Sequence, residues 1–215
     1  MKYRAVIFDL DGTILDTLED LRASLNDALR RSGYPERSLD EVRRFIGNGI
    51  GKLIARGVPE GTPPEAVERV HRDFTAHYTL HCADRTRPYD GIPELLAALR
   101  RGGCRTAVVS NKGDYAVQEL IGGYFPGLFD AAVGERPGVR RKPAPDSVNE
   151  VLRLFGLRPD EAVYVGDSDV DAETARAAGT ACVNVDWGFR SREFLAAHGA
   201  ETIVSSPDEL LALVR

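Results

Sequence analysis

Five short apolar runs constrain this chain most: Ala5 to Phe8, Thr106 to Val109, Ala131 to Val133, Ala162 to Val165 and Ala181 to Val185. Helical spacing separates most of them. Leu95, Leu96 and Leu99 recur at that spacing before Gly102, and Val148, Val151, Leu152 and Phe155 do so before Gly156. Strands alternating with helices predict an α/β fold, a doubly wound, Rossmann-like parallel sheet covered by helices on both faces. The interval from Asp16 to Arg87 breaks the alternation, with helical patterns and no strand. Thr17 with Asp20, Ser38 with Glu41, and Thr62 with Glu65 read as capping boxes, the last with Pro63 at the first helical position. Leu18, Leu21, Leu25, Ala28 and Leu29 form one apolar stripe, and Val67, Val70, Phe74 and Tyr78 another. The expected organisation is an α/β core from residues 1–15 and 88–215 with an all-helical insert at 16–87, and Pro88-Tyr89-Asp90-Gly91 as the return hinge.

Bulk properties narrow the function classes. With 215 residues, 43% of them hydrophobic, the chain can bury a sizeable core. Its 33 acidic and 28 basic residues leave a charge of -5 with no long basic run, which disfavours nucleic acid as a partner. Cys82, Cys104 and Cys182 are odd in number and lack paired metal spacing, so they read as reduced thiols. A four-residue apolar run before Asp9 is too short for a signal peptide or membrane span, and the expected location is the cytoplasm with no membrane partner. There are no low-complexity tracts or internal repeats.

The chemistry is concentrated at strand ends. In Ala5-Val6-Ile7-Phe8-Asp9-Leu10-Asp11-Gly12-Thr13, two carboxylates two residues apart point the same way where a strand meets a glycine turn. Converging carboxylates repel unless a cation lies between them, and Mg²⁺ takes oxygen ligands while leaving room for a phosphate. The plainer reading is an Asp-Gly turn closing a strand. Open parallel sheets bind ligands beyond the carboxyl ends of their strands. Ser110 and Asn111 follow Val108-Val109, Lys142 opens Lys-Pro-Ala-Pro, and Val163-Tyr164-Val165 runs into Gly166-Asp167-Ser168-Asp169-Val170-Asp171. Alone, each is an ordinary loop start, solvated lysine or turn; together they are the nucleophile, cation ligands and oxygen donors of metal-assisted phosphoryl transfer.

In that order, Asp9-x-Asp11-Gly-Thr13, Ser110-Asn111-Lys112, Lys142-Pro-x-Pro145 and Gly166-Asp167-x-x-x-Asp171 resemble the four motifs of the haloacid dehalogenase superfamily. The insert resembles its helical-cap subgroup. Ile46-Gly47-Asn48-Gly49 and Trp187-Gly188-Phe189-Arg190-Ser191 resemble phosphoglycolate phosphatases within it. The resemblance implies a phosphatase of a small phosphorylated metabolite in which Asp9 is the nucleophile and Asp11 the proton shuttle. It implies Mg²⁺ held by Asp9, the Asp11 carbonyl and Asp167. Ser110 and Lys142 would bind the phosphoryl oxygens, with Thr13 and Asn111 nearby, and Asp171 would orient Lys142 or the metal's outer shell. Gly47, Asn48 and Gly49 would contact substrate from the cap, which would close over the site. Asp9 would raise the pKa of Asp11, Mg²⁺ and Lys142 would lower it, and cap closure would tip it upward. Dehalogenases of this fold lack the second acid, so Asp11 favours phosphoryl transfer.

Other readings remain at this point. The same fold accommodates a pyrophosphatase, a nucleotidase, a sugar-phosphate phosphatase or a mutase. A phosphorylatable signalling module also places acids, a hydroxyl and a lysine at strand ends, but lacks a large insert after the first strand. A catalytically silent binding protein would not need every motif residue intact. His77 and His81 are four apart on an expected helix, a spacing that suits zinc but more simply a satisfied helix face. Gly47-Asn48-Gly49 taken alone is an inter-helix turn, Arg140 and Arg141 a solvated charge run or an anion attractor, and Trp187 a packing residue.

Overall fold

Ala5–Phe8 is buried along its whole length and lies between two other apolar strands, which is why it can dispense with a polar face. The structure, a computed structural model, describes residues 1–215. The chain runs β1 (Ala5–Phe8), β2 (Leu15–Asp16), α1 (Leu18–Arg31), α2 (Leu39–Phe45), α3 (Ile50–Gly57), α4 (Pro64–His81), β3 (Arg87–Pro88), α5 (Ile92–Arg101) and β4 (Arg105–Gly113). It continues through α6 (Asp114–Tyr124), β5 (Ala131–Glu135), α7 (Asp146–Phe155), β6 (Ala162–Gly166), α8 (Asp169–Ala178), β7 (Ala181–Val185), α9 (Arg192–Ala197), β8 (Ile203–Val204) and α10 (Pro207–Val214). Two compact units result, Met1–Leu15 with Pro88–Arg215, and Asp16–Arg87.

The first unit is the doubly wound α/β fold. Its parallel sheet has the order β5-β4-β1-β6-β7-β8, so strand order reverses at β1. Such a switch point opens a crevice at the carboxyl ends of the strands. Phe8 pairs with Val108 and Val165, and this register brings the residues after all three strands to one edge. One sheet face buries Ile7, Val109 and Tyr164 with Val151, Leu152 and Phe155 of α7 and Ala175 of α8. On the opposite side of the pleat, the Phe8 ring meets Phe129 edge-on at 6.2 Å. The helices over Leu95–Leu99 and Val148–Phe155 end at Gly102 and Gly156 as their spacing predicts.

β4 extends through Ser110-Asn111-Lys112 to Gly113, farther than its apolar run, with an irregular register against β5 between Val109 and Gly113. β2, β3 and β8, two residues each, are too short to produce a sequence period.

The second unit is all-helical apart from the terminal residues Asp16 and Arg87. In α1, Leu18, Leu21, Leu25, Ala28 and Leu29 are buried as the stripe predicts; in α4, Ala66 is buried with Val70, Phe74 and Tyr78, and Val67 only partly. Of the three expected capping boxes, Ser38 with Glu41 forms. Asp20 instead accepts from the Arg85 amide and from the amide and hydroxyl of Thr86, tying the start of α1 to the segment after α4. Thr62 lies before the helix and donates to the Pro59 carbonyl, which leaves Pro63 as the N-cap and Pro64 as the first helical residue. None of the three cysteines forms a disulfide. No helix is long and apolar enough to cross a membrane.

Candidate active site

The turn after β1 aims its carboxylates by backbone geometry. The Asp9 amide donates to the Val165 carbonyl at 2.8 Å, continuing the ladder, and Leu10 then accepts from the amides of Thr13, Ile14 and Leu15. Gly12 makes this reversal at φ 82°, where a Cβ would also collide with the Asp167 carboxylate.

Lys142 organises the buried charge. Its Nζ lies 2.9 Å from Asp9 Oδ1 and 2.7 Å from Asp171 Oδ1, and it donates to the Tyr164 hydroxyl at 2.9 Å. That hydroxyl donates in turn to the Val109 carbonyl at 3.0 Å. Asn111 fixes the lysine's main chain, accepting from the Lys142 amide at 2.8 Å and donating to its carbonyl at 3.1 Å. These two bonds fasten the extension of β4 to a distant loop, a constraint beyond the reach of local propensity. The Asn111 amide, expected near substrate phosphate, is thus engaged with Lys142. Ser110 is buried beside it, and its Oγ accepts from the Lys112 amide at 3.3 Å.

Asp9, Asp167 and Asp171 offer buried carboxylate oxygens within 4.8 Å of one another. Burial pushes the Asp9 carboxyl up to about 7, Asp171 and Asp11 adding to the rise and Lys142 opposing it. Burial also pushes Asp167 well above its ordinary range, with repulsion from Asp171 and Asp9. Burial alone would lower the Lys142 ammonium, but Asp171 and Asp9 carry it well above its usual value. Burial raises the Tyr164 phenol as well. The three carboxylates offer an all-oxygen ligand set, and a hard divalent cation among them would relieve the repulsion and desolvation that raise the pKa values of Asp9 and Asp167. Asp171 is the least available ligand: Oδ1 meets Lys142, while Oδ2 accepts from the Ser168 amide at 3.0 Å and hydroxyl at 2.6 Å in the capping box of α8.

The Asp11 carboxylate lies outside that cluster, held by Lys112 Nζ at 2.7 and 3.0 Å. The lysine in contact with Asp11 is therefore Lys112, while Lys142 contacts Asp9 and Asp171. Thr13 Oγ1 donates to Asp167 Oδ1 at 3.4 Å. Gly47, Asn48 and Gly49 lie in the helical unit between α2 and α3, where Asn48 Oδ1 accepts from Arg56 at 2.9 Å and Gly49 caps α3. Arg140 and Arg141 are paired with Asp146 and Glu135. His77 meets Ser24 at 2.9 Å and His81 meets Asp84 at 2.8 Å, as a satisfied helix face would.

Sequence reasoning left Lys112, Tyr164 and Ser168 without roles. Tyr164 had a signal: a phenol within an apolar run needs a buried polar partner. Lys112 had none, since its ammonium crosses to the turn after β1, more than a hundred residues earlier in the chain.

A doubly wound sheet with an acidic, lysine-bridged cluster at its switch point defines a class of hydrolase. The chain belongs to the haloacid dehalogenase-like hydrolase family, which it matches over residues 6–185. It is 32% identical to a phosphoglycolate phosphatase of Aquifex aeolicus, over 98% of this chain and 96% of that one. It is 35% identical to an N-acetylmuramic acid 6-phosphate phosphatase of Pseudomonas aeruginosa, over 98% and 94%. A crystal structure from Lactobacillus delbrueckii subsp. bulgaricus, provisionally named a phosphoglycolate phosphatase, superposes with a TM-score of 0.95 at 39% identity, covering 100% of this chain and 99% of that one.

Proposed function

We propose that this chain is a magnesium-dependent phosphatase of small phosphorylated metabolites, with 2-phosphoglycolate the leading substrate, working through an aspartyl phosphate. The observation that carries this reading is the Lys142 ammonium bridging Asp9 and Asp171 at the switch point, with Asp167 converging on the same cluster. A buried carboxylate oriented by an ammonium is a competent nucleophile, and the surrounding cations and amides suit the charge of a phosphoryl group.

An Asp9 oxygen attacks phosphorus and the P–O bond to the metabolite breaks, the departing oxygen taking a proton from Asp11. Water then attacks the aspartyl phosphate, gives its proton to Asp11 and releases inorganic phosphate with Asp9 regenerated. Lys142 and the Ser110 hydroxyl bind phosphoryl oxygens, with Thr13 at the same edge. Asn111 acts chiefly by placing Lys142, and Asp171 by orienting that lysine. Asp9, the Asp11 carbonyl and Asp167 would hold Mg²⁺, which would supply positive charge to neutralise the transferring group. The helical unit 16–87 serves as the cap that selects the substrate, through Gly47, Asn48 and Gly49. The metabolite requires no macromolecular partner, and the expected setting is the cytoplasm.

The test is phosphate release with Mg²⁺ from 2-phosphoglycolate, N-acetylmuramic acid 6-phosphate, pyrophosphate, nucleoside monophosphates and sugar phosphates, compared by kcat/KM. 2-Phosphoglycolate should rank first and Asp9→Asn should abolish turnover. A different leading compound would overturn the substrate while leaving the phosphatase class. Stable phosphorylation of Asp9 without turnover would replace the reading with a signalling one.

A further inference from the structure

Asn184 and the segment Trp187-Gly188-Phe189 converge on Asp167 from outside the reacting groups. Asn184, on β7 and almost fully buried, donates through Nδ2 to the carbonyls of Gly166 at 3.2 Å and Ser168 at 3.1 Å, the residues on either side of Asp167. The Phe189 amide donates to Asp167 Oδ2 at 2.7 Å. The Trp187 indole Nε1 donates to the Thr13 carbonyl at 3.0 Å, and the Thr13 hydroxyl returns to Asp167 Oδ1. Gly188 permits the approach, because a Cβ there would collide with the Gly12 carbonyl and the Asp167 side chain.

We propose that Asn184 and Trp187, with the Phe189 amide, are positioning groups that hold Asp167 ready for the divalent cation and thereby set its affinity. The inference rests on the metal-dependent reading above. Asp9 and Asp171 repel the Asp167 carboxylate, so an unrestrained side chain would turn away from the cluster. Asn184 anchors its main chain, the Phe189 amide arrests its carboxylate, and Trp187 ties the turn that carries Asp11 and Thr13 to the same segment. Donors behind a ligand fix its orientation before the ion arrives, and their loss weakens metal binding even when every ligand remains.

The experiment titrates Mn²⁺ into the full chain without substrate, following the electron paramagnetic resonance signal of free Mn²⁺, for wild type, Asn184→Leu and Trp187→Phe. Trp187→Phe keeps an aromatic ring at this partly buried position while removing the indole donor and some ring volume, so it decides the question if Asn184→Leu does not fold. Asn184→Leu should weaken Mn²⁺ binding by about tenfold or more, and Trp187→Phe in the same direction by a smaller factor. The metal-free melting curve and far-ultraviolet circular dichroism of Trp187→Phe should follow wild type, and raised Mg²⁺ should restore its turnover. Folded variants that bind Mn²⁺ within about twofold of wild type overturn the positioning role alone. A wild type that binds no Mn²⁺ overturns the metal-dependent reading with it.

Discussion

Replacing Asp9, the proposed nucleophile, should make the metal-free protein more stable at alkaline pH. Burial raises the Asp9 carboxyl from its ordinary 3.8 to about 7, so between those values the folded chain keeps a proton that the unfolded chain releases. Stability linked to this group is therefore fully present below 3.8, declines as pH rises and levels off above about 7. Integrating that shift gives a loss of about 4 kcal/mol by pH 8, of which more than half falls between pH 5 and 8. Asn has nearly the same shape and no charge, so Asp9→Asn escapes the decline, while Lys142 keeps Asp171 at 2.7 Å. For a chain of this size the advantage of Asp9→Asn in melting temperature should grow by roughly 5–10 °C from pH 5 to 8. Thermal unfolding in EDTA, followed by circular dichroism at several pH values, measures it. Adding Mg²⁺ should raise the wild-type melting temperature at pH 8 more than that of Asp9→Asn. An advantage that is constant or shrinks as pH rises refutes the argument.

Lys112→Met removes the two-point contact that orients Asp11, so kcat/KM should fall more for an alkyl phosphate, whose leaving oxygen needs a proton, than for p-nitrophenyl phosphate; an equal loss on both contradicts a role for Lys112 in placing Asp11 as the acid. Gly12→Ala forces a side chain into a left-handed turn and against Asp167, and should cost about 2 kcal/mol or more in urea unfolding. Asp20→Ala removes the acceptor for the Arg85 and Thr86 amides and should cost about 2 kcal/mol, with faster hydrogen exchange at those amides as the direct readout. Unchanged exchange there would show that the segment after α4 is held by other means.

Legibility depended on the range of the interaction. The apolar runs of β1 and β6 announced their strands because burial on both faces demands near-continuous apolar residues. Ser38 with Glu41 was readable because a capping box closes within one turn. Thr17 with Asp20 has the same spacing, yet Asp20 found stronger company, two amides and a hydroxyl at Arg85 and Thr86. Local pattern cannot foresee competing donors more than sixty residues away. β4 outran its apolar signal for the same reason, Asn111 being fastened to Lys142.

By itself the sequence determined the parallel α/β frame, the helical insertion and the candidate chemistry at the strand ends, since these follow from periodicity and from residue types at fixed local offsets. Tertiary structure alone decided which charges meet. It gave Lys142 to Asp9 and Asp171, Lys112 to Asp11, and the Phe189 amide to Asp167. Such pairings depend on the register of β1 between β4 and β6, which brings residues far apart in the chain to one edge. At that edge burial makes ångström differences in charge separation decide protonation and orientation.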